Sequence, residues 1–531
     1  MTAAPSLASP PRTPEPDQDT VVRFLSDPAS YDPRPEEVER IETHGALVFL
    51  AGERAYKIKR AVRYPYMDFS TLAKRRRACK RELALNARTA PALYREVVPV
   101  TRDGEGNLKL GGAGELVEWV LVMARFAQDR LLSNLAATGG LTPRIVDELA
   151  DAIAAFHDHA PPAFEGLHAA ELWGARSIEW VVVENNEELA ARDDLFAPED
   201  AARLAAASLD HLKRHTALLD ARARSGLQRL CHGDLHLRNV VLLDGRPQLF
   251  DAIEFNDAIA CIDVFYDLAF LLMDLEHRGL RHFANQVLNR YLHRRGDLRA
   301  LPLLPLFLSA RATVRAKVAA SLEALEHNPQ SRQERRDEVT SYFTEALGFL
   351  EPAPPRLVAV GGLSGSGKSS LARRLAPHLG AAPGAVHLRS DLLRKAMAGV
   401  EDQQHLPAEA YSQAANDAVY ARMMDQAAQV LDAGHAVVLD AVFGRPEERA
   451  AVAELAKTQG VAFTGLWLWA EAHDLKQRVT DRRHDASDAT AAVVEQQLGY
   501  DLGRIDWVRV DARGPLDAVA KDALSLLGLR P

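Results

Sequence analysis

The rhythm of hydrophobic and polar positions changes along the chain, and each change marks an expected boundary. Between 41 and 123 short β-like runs recur: "ALVFL", "AYKI", "VVPVT", "LKL" and "LVEWVLVM". One basic helical stretch, "TLAKRRRACKRELALNA", interrupts them. Such runs predict a small, mostly antiparallel sheet with a helix against it. From about 126 to 350 the pattern is mainly helical, as in "IVDELADAIAAFH", where apolar residues return at i, i+3/i+4 and i+7. Within that region "CHGDLHLRNVVLLDGRPQLFDAIEF" (231–255) reads instead as strand pieces and loops. After 356 strands and helices alternate. "RLVAV", "AVHL", "AVVLDA" and "AFTGLWLW" are unbroken apolar runs, expected of a parallel sheet covered on both faces. Leu371, Leu375 and Leu379 mark a helix by their i+4 spacing.

Two composition breaks complete the outline. The opening "MTAAPSLASPPRTPEPDQDT" is rich in Pro, Ser and Thr and predicts a disordered tail over 1–20. "EPAPPR" (351–356) denies a helix its backbone donors and reads as a short stiff linker. The expected organisation is a small lobe over 21–125, a helical lobe over 126–350, that linker, and a doubly wound α/β domain over 357–531. At roughly 150 residues per domain, a chain of 531 residues admits this many units.

Charge and cysteine content narrow the function classes. A net charge of −9 argues against a broad nucleic-acid footprint. The last region is no exception, with 20 Lys and Arg against 22 Asp and Glu over 356–531. The three cysteines, Cys79, Cys231 and Cys261, form no CxxC pair. They read as core residues in a reducing cytoplasm rather than a disulfide or zinc framework. No apolar run reaches the roughly 18 residues of a membrane span, and the opening stretch lacks a secretory pattern.

The densest chemistry in the C-terminal region is Gly362-Leu-Ser364-Gly365-Ser366-Gly367-Lys368-Ser369-Ser370, between an apolar strand and a helix. This is the G-x-x-x-x-G-K-[ST] pattern. Its glycines let backbone N–H groups curl around a phosphate at a helix N-terminus. Lys368 is expected to reach the β/γ-phosphates and Ser369 to bind Mg²⁺. Asp391 in "HLRSDLLRK" and Asp440 in "AVVLDA" end the next two strands, where ligands of open α/β sheets bind. One of these acids is expected to hold the Mg²⁺ shell and the other to take a hydroxyl proton. Helix capping is the plain alternative for Asp391. Arg478, Arg482 and Arg483 are candidates for a lid over the phosphates, or for a solvated basic face.

The second constellation is His232-Gly-Asp234-Leu-His236-Leu-Arg-Asn239, followed by Asp251 after a further apolar strand. An acid, an amide five residues on and a later acid have the spacing of a kinase catalytic loop. Asp234 is expected to orient and deprotonate an acceptor hydroxyl, with Asn239 and Asp251 holding Mg²⁺ on ATP. Charge is tolerable beside buried strands when metal and phosphate neutralise it. Glu254 is either a second metal ligand or a capping acid. His232 is expected to brace the loop, and His157 to lie in the core.

On these motifs the region from about 41 to 350 resembles the aminoglycoside phosphotransferase and choline kinase branch of the protein-kinase-like fold, where HGDxHxxN stands for the kinase loop. The resemblance implies that Lys57 in "RAYK" is the ATP-phosphate lysine, with Glu82 its helix partner, Met123 in the nucleotide pocket and Asp267 a structural acid. Lys59 shares the strand face of Lys57, so the choice between them stays open. No GxGxxG is present, and "THGALVF" is the candidate phosphate loop. The region from about 357 to 511 resembles small P-loop kinases: the gluconate kinase, chloramphenicol phosphotransferase, zeta-toxin and polynucleotide kinase group. This resemblance implies Asp391 as base, with Arg478 and Arg482 on the phosphates. The whole chain is similar to proteins that fuse these two parts. The expected function is a bifunctional kinase using ATP and Mg²⁺ on a small-molecule hydroxyl. The alternatives are one kinase with a regulatory P-loop domain, polynucleotide 5′-end kinase activity, or a catalytically silent kinase fold.

Overall fold

A computed structural model describes residues 18–64, 66–163, 173–482 and 485–529. Most of the expected tail, and Arg483, lie outside the described residues. The chain forms two compact units, Met1–Ile145 with Ala155–Ser177 and Ala221–Asp267, and Val146–Ala154 with Ile178–Asp220 and Leu268–Pro531.

The first unit is built on a six-stranded sheet of β1 (Val38–Glu42), β2 (Ala46–Ala51), β3 (Arg54–Lys59), β4 (Tyr94–Arg102), β5 (Leu108–Leu110) and β6 (Glu115–Ala124). Its spatial order is β1-β2-β3-β6-β4-β5, antiparallel throughout. Strand alternation sorts the residues between two cores. Tyr56 and Ile58 join Phe49 and Val120 on one side, where helix α1 (Gln18–Ser26) adds Val21 and Leu25. Residues 18–20 of the segment expected as tail are thus helical. Ala55 faces the other side, with Leu121, Met123 and Cys79 of α2 (Leu72–Asn86). Lys57 and Lys59 share the parity of Ala55 and so face α2. Thr71 starts that helix by accepting from Lys74 N.

Two short antiparallel pairs carry the second constellation. β7 (Gln228–Leu230) pairs with β10 (Cys261–Asp263), and β8 (Val240–Leu243) with β9 (Arg246–Leu249). The segments 231–239 and 250–256 leave the ends of these strands.

The second unit contains a five-stranded parallel sheet of β11 (Arg356–Gly361), β12 (Val386–Arg389), β13 (Val437–Asp440), β14 (Ala462–Trp469) and β15 (Val508–Asp511), in the order β12-β13-β11-β14-β15. Val358, Val360, Val438 and Leu466 from the strands pack with Leu371 and Leu375 of the helix at Lys368–Leu375. The helix at Arg281–Arg295, from the expected helical lobe, belongs to this same unit. Among the described residues no helix is long and apolar enough to cross a membrane.

Candidate active sites

In the first unit the register of β3 sets two ammonium groups over α2. Lys57 Nζ lies 2.7 Å from Glu82 Oε1 and 2.6 Å from Asp251 Oδ1. Lys59 Nζ lies 2.5 Å from Glu82 Oε2 and 2.5 Å from Glu254 Oε1. The two lysines therefore share Glu82 and differ in their second partner. Asp251 keeps 42% of its side chain exposed, whereas Glu254 keeps 4%. Lys57 faces an accessible acid and Lys59 closes a buried bridge. Loss of solvent alone would raise the Asp251 carboxyl, but the Lys57 ammonium outweighs it and holds the group below the usual carboxylate range. Burial pushes Glu254 upward in spite of Lys59.

Asp251 sits at φ +62°, a left-handed conformation costly for a non-glycine residue. It is held there by its own N–H, which donates to Tyr94 Oη at 3.0 Å, and by Ala252 N, which donates to Asn86 Oδ1 at 2.9 Å. Asn239 Nδ2 donates to Asp234 O at 3.0 Å and to Asp234 Oδ2 at 2.9 Å, so its amide oxygen is the atom it could offer a metal ion. Asp234 is 38% exposed, with His236 Nε2 3.3 Å from Oδ2. Asp267 is fully buried and accepts from His232 N at 3.0 Å and Gly233 N at 2.9 Å, with His157 Nε2 at 3.1 Å. It fixes the turn before Asp234. His232 Nε2 donates to Phe250 O at 2.9 Å, tying that turn to the segment of Asp251. Met123 is buried in the core shared with α2.

In the second unit the loop from Gly362 to Gly367 joins β11 to the helix that begins at Lys368. Gly365 is obligatory: its φ is +84°, and a Cβ there would lie 2.4 Å from Leu475 O. Ser364 N donates to Gln497 Oε1 at 2.8 Å, and Lys368 Nζ donates to Leu363 O at 2.9 Å. Ser366 Oγ is buried with no hydrogen-bond partner. An orphaned hydroxyl in a glycine cradle, beside an ammonium bonded to a loop carbonyl, suits a phosphate. Burial lowers Lys368 to about 8, against the pull of Asp440 and Asp391. Asp440 Oδ2 lies 3.2 Å from His387 Nε2 and 3.9 Å from Arg389 Nε. Burial would raise Asp440, yet the His387 ring that bonds it, with Arg389 and Lys368, brings it to about 2.

Asp391 stands in the first turn of the helix Ser390–Ala398, with Arg389 3.5 Å from its Oδ2. Arg389 also bonds Asp485. The expected lid arginines separate. Arg482 is near enough to lower Lys368 further. Arg478 donates to Ala512 O at 2.8 Å, at the end of β15. Sequence reasoning missed Arg389, His387, Asp485 and Gln497. The first two could have been found, because alternation along β12 puts both on one face, four and two residues before Asp391.

The fold and these two sites define a kinase: a phosphotransferase with a hydroxyl acceptor. Residues 53–304 match the model of the phosphotransferase enzyme family, and residues 357–500 match that of an AAA domain. The uncharacterized protein Rv2004c of Mycobacterium tuberculosis is 31% identical over 479 residues, covering 89% of this chain and 92% of its own. The chain belongs to the family of that protein. Among solved structures, a sugar kinase from Janibacter sp. is 21% identical with a TM-score of 0.27, covering 34% of this chain and 97% of its own. A Plasmodium vivax ethanolamine kinase is 11% identical with a TM-score of 0.37, covering 58% and 82%.

Proposed function

We propose that the chain is a bifunctional kinase that transfers phosphoryl groups from ATP·Mg²⁺ to hydroxyls of small metabolites, of the sugar or amino-sugar alcohol class, in the cytoplasm. The observation that carries this reading is that each compact unit holds its own lysine beside exposed or clustered acids. Three buried, unbridged cysteines suit a reducing compartment.

At the first site Lys57 steers the phosphates, with Glu82 holding its ammonium in place. Asn239 and Asp251 are the metal ligands. Asp234 orients the acceptor hydroxyl and takes its proton. At the second, the backbone of 362–367, Lys368 and Ser370 cradle the phosphates, Ser369 and Asp440 hold the metal, Asp391 takes the proton, and Arg482 neutralises charge. Bound Mg²⁺ would neutralise charge building on the transferred group. Preorganised cations and a placed acid are what phosphoryl transfer asks of a protein.

Titration of the full-length protein with a non-hydrolysable ATP analogue and Mg²⁺ tests the reading. Two sites per chain are expected, and one site after Lys368→Ala. A single site in the unsubstituted protein would defeat it.

A further inference from the structure

Among the described residues strand β12 is the edge of the parallel sheet and pairs only with β13. An uncovered edge leaves backbone donors and acceptors unpaired, so folded proteins pair or cover it. Here two asparagine side chains, one helical turn apart on the helix Arg281–Arg295, take the place of a further strand. Asn285 Nδ2 donates to Ala385 O at 3.0 Å, and Asn289 Nδ2 donates to the same oxygen at 3.2 Å. Asn289 Oδ1 accepts from His387 N at 2.6 Å. Asn289 Nδ2 also reaches Asn285 Oδ1 at 3.1 Å, which fixes both amides. Close approach is possible because residue 384 is glycine: a Cβ there would lie 2.9 Å from Asn285 Nδ2.

The contact leads directly to the second site. The residue whose N–H Asn289 holds is His387, and the ring of His387 bonds Asp440 at 3.2 Å. Arg389, two residues on along the same face, lies 3.9 Å from the same carboxylate oxygen, and Asp391 follows. The helix comes from the region matched by the phosphotransferase family model and the strand from that matched by the AAA domain model, and both stand in one compact unit.

We propose that Asn289, supported by Asn285, is a positioning residue for the P-loop site: it sets the place of β12 against the helix, through it the ring of His387, and so the carboxylate of Asp440. The inference rests on the reading of 357–511 as a nucleotide site and goes beyond it. The P-loop site is completed by a helix of the other kinase region, so fusion of the two is structural as well as topological.

The test uses full-length protein carrying Lys57→Ala, so that nucleotide binding reports the P-loop site. Binding of a non-hydrolysable ATP analogue is measured across a Mg²⁺ titration. Asn289→Leu should raise the Mg²⁺ needed for half-maximal binding by about tenfold, the usual scale for removing support behind a metal ligand. Arg281→Ala is the control. It removes bonds from the same helix to Pro377 O at 2.7 Å and Gly380 O at 3.3 Å, away from Asp440, and should leave the Mg²⁺ requirement unchanged. Asn289→Ser, a smaller change, serves if the leucine variant does not fold, with the same direction expected. An unchanged requirement in the Asn289 variants, or an equal shift in Arg281→Ala, overturns the proposal. Lys368→Ala separates the two levels: if it leaves nucleotide binding intact, the P-loop reading itself is wrong.

Discussion

Lys57 Nζ and Asp251 Oδ1 lie 2.6 Å apart across 194 residues of sequence. Two residues along the same strand, Lys59 makes the matching contact with Glu254, but in a buried setting. Under the proposed roles, Lys57→Met should weaken nucleotide binding at the first site by about tenfold or more, because the charge assigned to the phosphates is lost. Lys59→Met should chiefly destabilise the fold, by about 3 kcal/mol, because Glu82 and Glu254 lose a buried cation. Denaturant midpoints and nucleotide titration on both variants check the division. The opposite pattern would exchange the two roles.

Asp234→Asn keeps the shape of the side chain and removes the proposed proton acceptor. Turnover at the first site should fall by about 10²-fold or more, while nucleotide binding survives. Steady-state rates at saturating acceptor, with binding measured separately, decide it. Equal turnover in the two proteins would remove Asp234 from its role.

Gly365→Ala combines a left-handed backbone with a Cβ 2.4 Å from Leu475 O. The strain is of order 1–3 kcal/mol. The P-loop must distort to relieve it, so nucleotide should be lost at the second site and kept at the first. A binding stoichiometry unchanged by the substitution would mean that the loop does not need its observed shape.

His435 is fully withdrawn from water, and its Nε2–H donates to Leu301 O at 3.0 Å. Burial lowers its pKa to about 4. The unfolded chain takes up this proton near pH 6.5 and the folded chain only near 4. The unfolded state therefore binds more protons between those values, and stability falls as pH drops through that window, then levels. The loss is on the order of 3 kcal/mol. Chemical denaturation from pH 7.5 to 4 should show this slope, and His435→Gln should remove His435's share of it. An identical slope in the variant would assign the effect elsewhere.

Local patterns made much of this legible in sequence. The P-loop is one continuous motif, and its strand–loop–helix setting needs no distant residue. The spacing from Asp234 to Asn239 is likewise local, and alternation along β3 put both lysines on the face of α2. What sequence could not separate was Lys57 from Lys59, because the distinction depends on Asp251 and Glu254, which arrive from another part of the chain. Arg478 and Arg482 share a motif, yet Arg478 turns to a carbonyl at the end of β15. The cover of β12 by Asn285 and Asn289 was also hidden. Asparagines one turn apart on a helix read as an ordinary polar face until the strand they pair with is known.

The central claim is that one chain carries two separate phosphoryl-transfer sites. Incubating wild type, Asp234→Asn and Asp391→Asn with ATP·Mg²⁺ and a bacterial metabolite extract, then reading masses raised by phosphoryl groups, tests it most directly. Each variant should lose a different phosphorylated species, and if the sites act in sequence one should stop at the unphosphorylated metabolite and the other at the monophosphate. A product spectrum that Asp391→Asn leaves intact, with every transfer lost in Asp234→Asn, would contradict the account and leave the P-loop site a nucleotide-binding part of a single kinase.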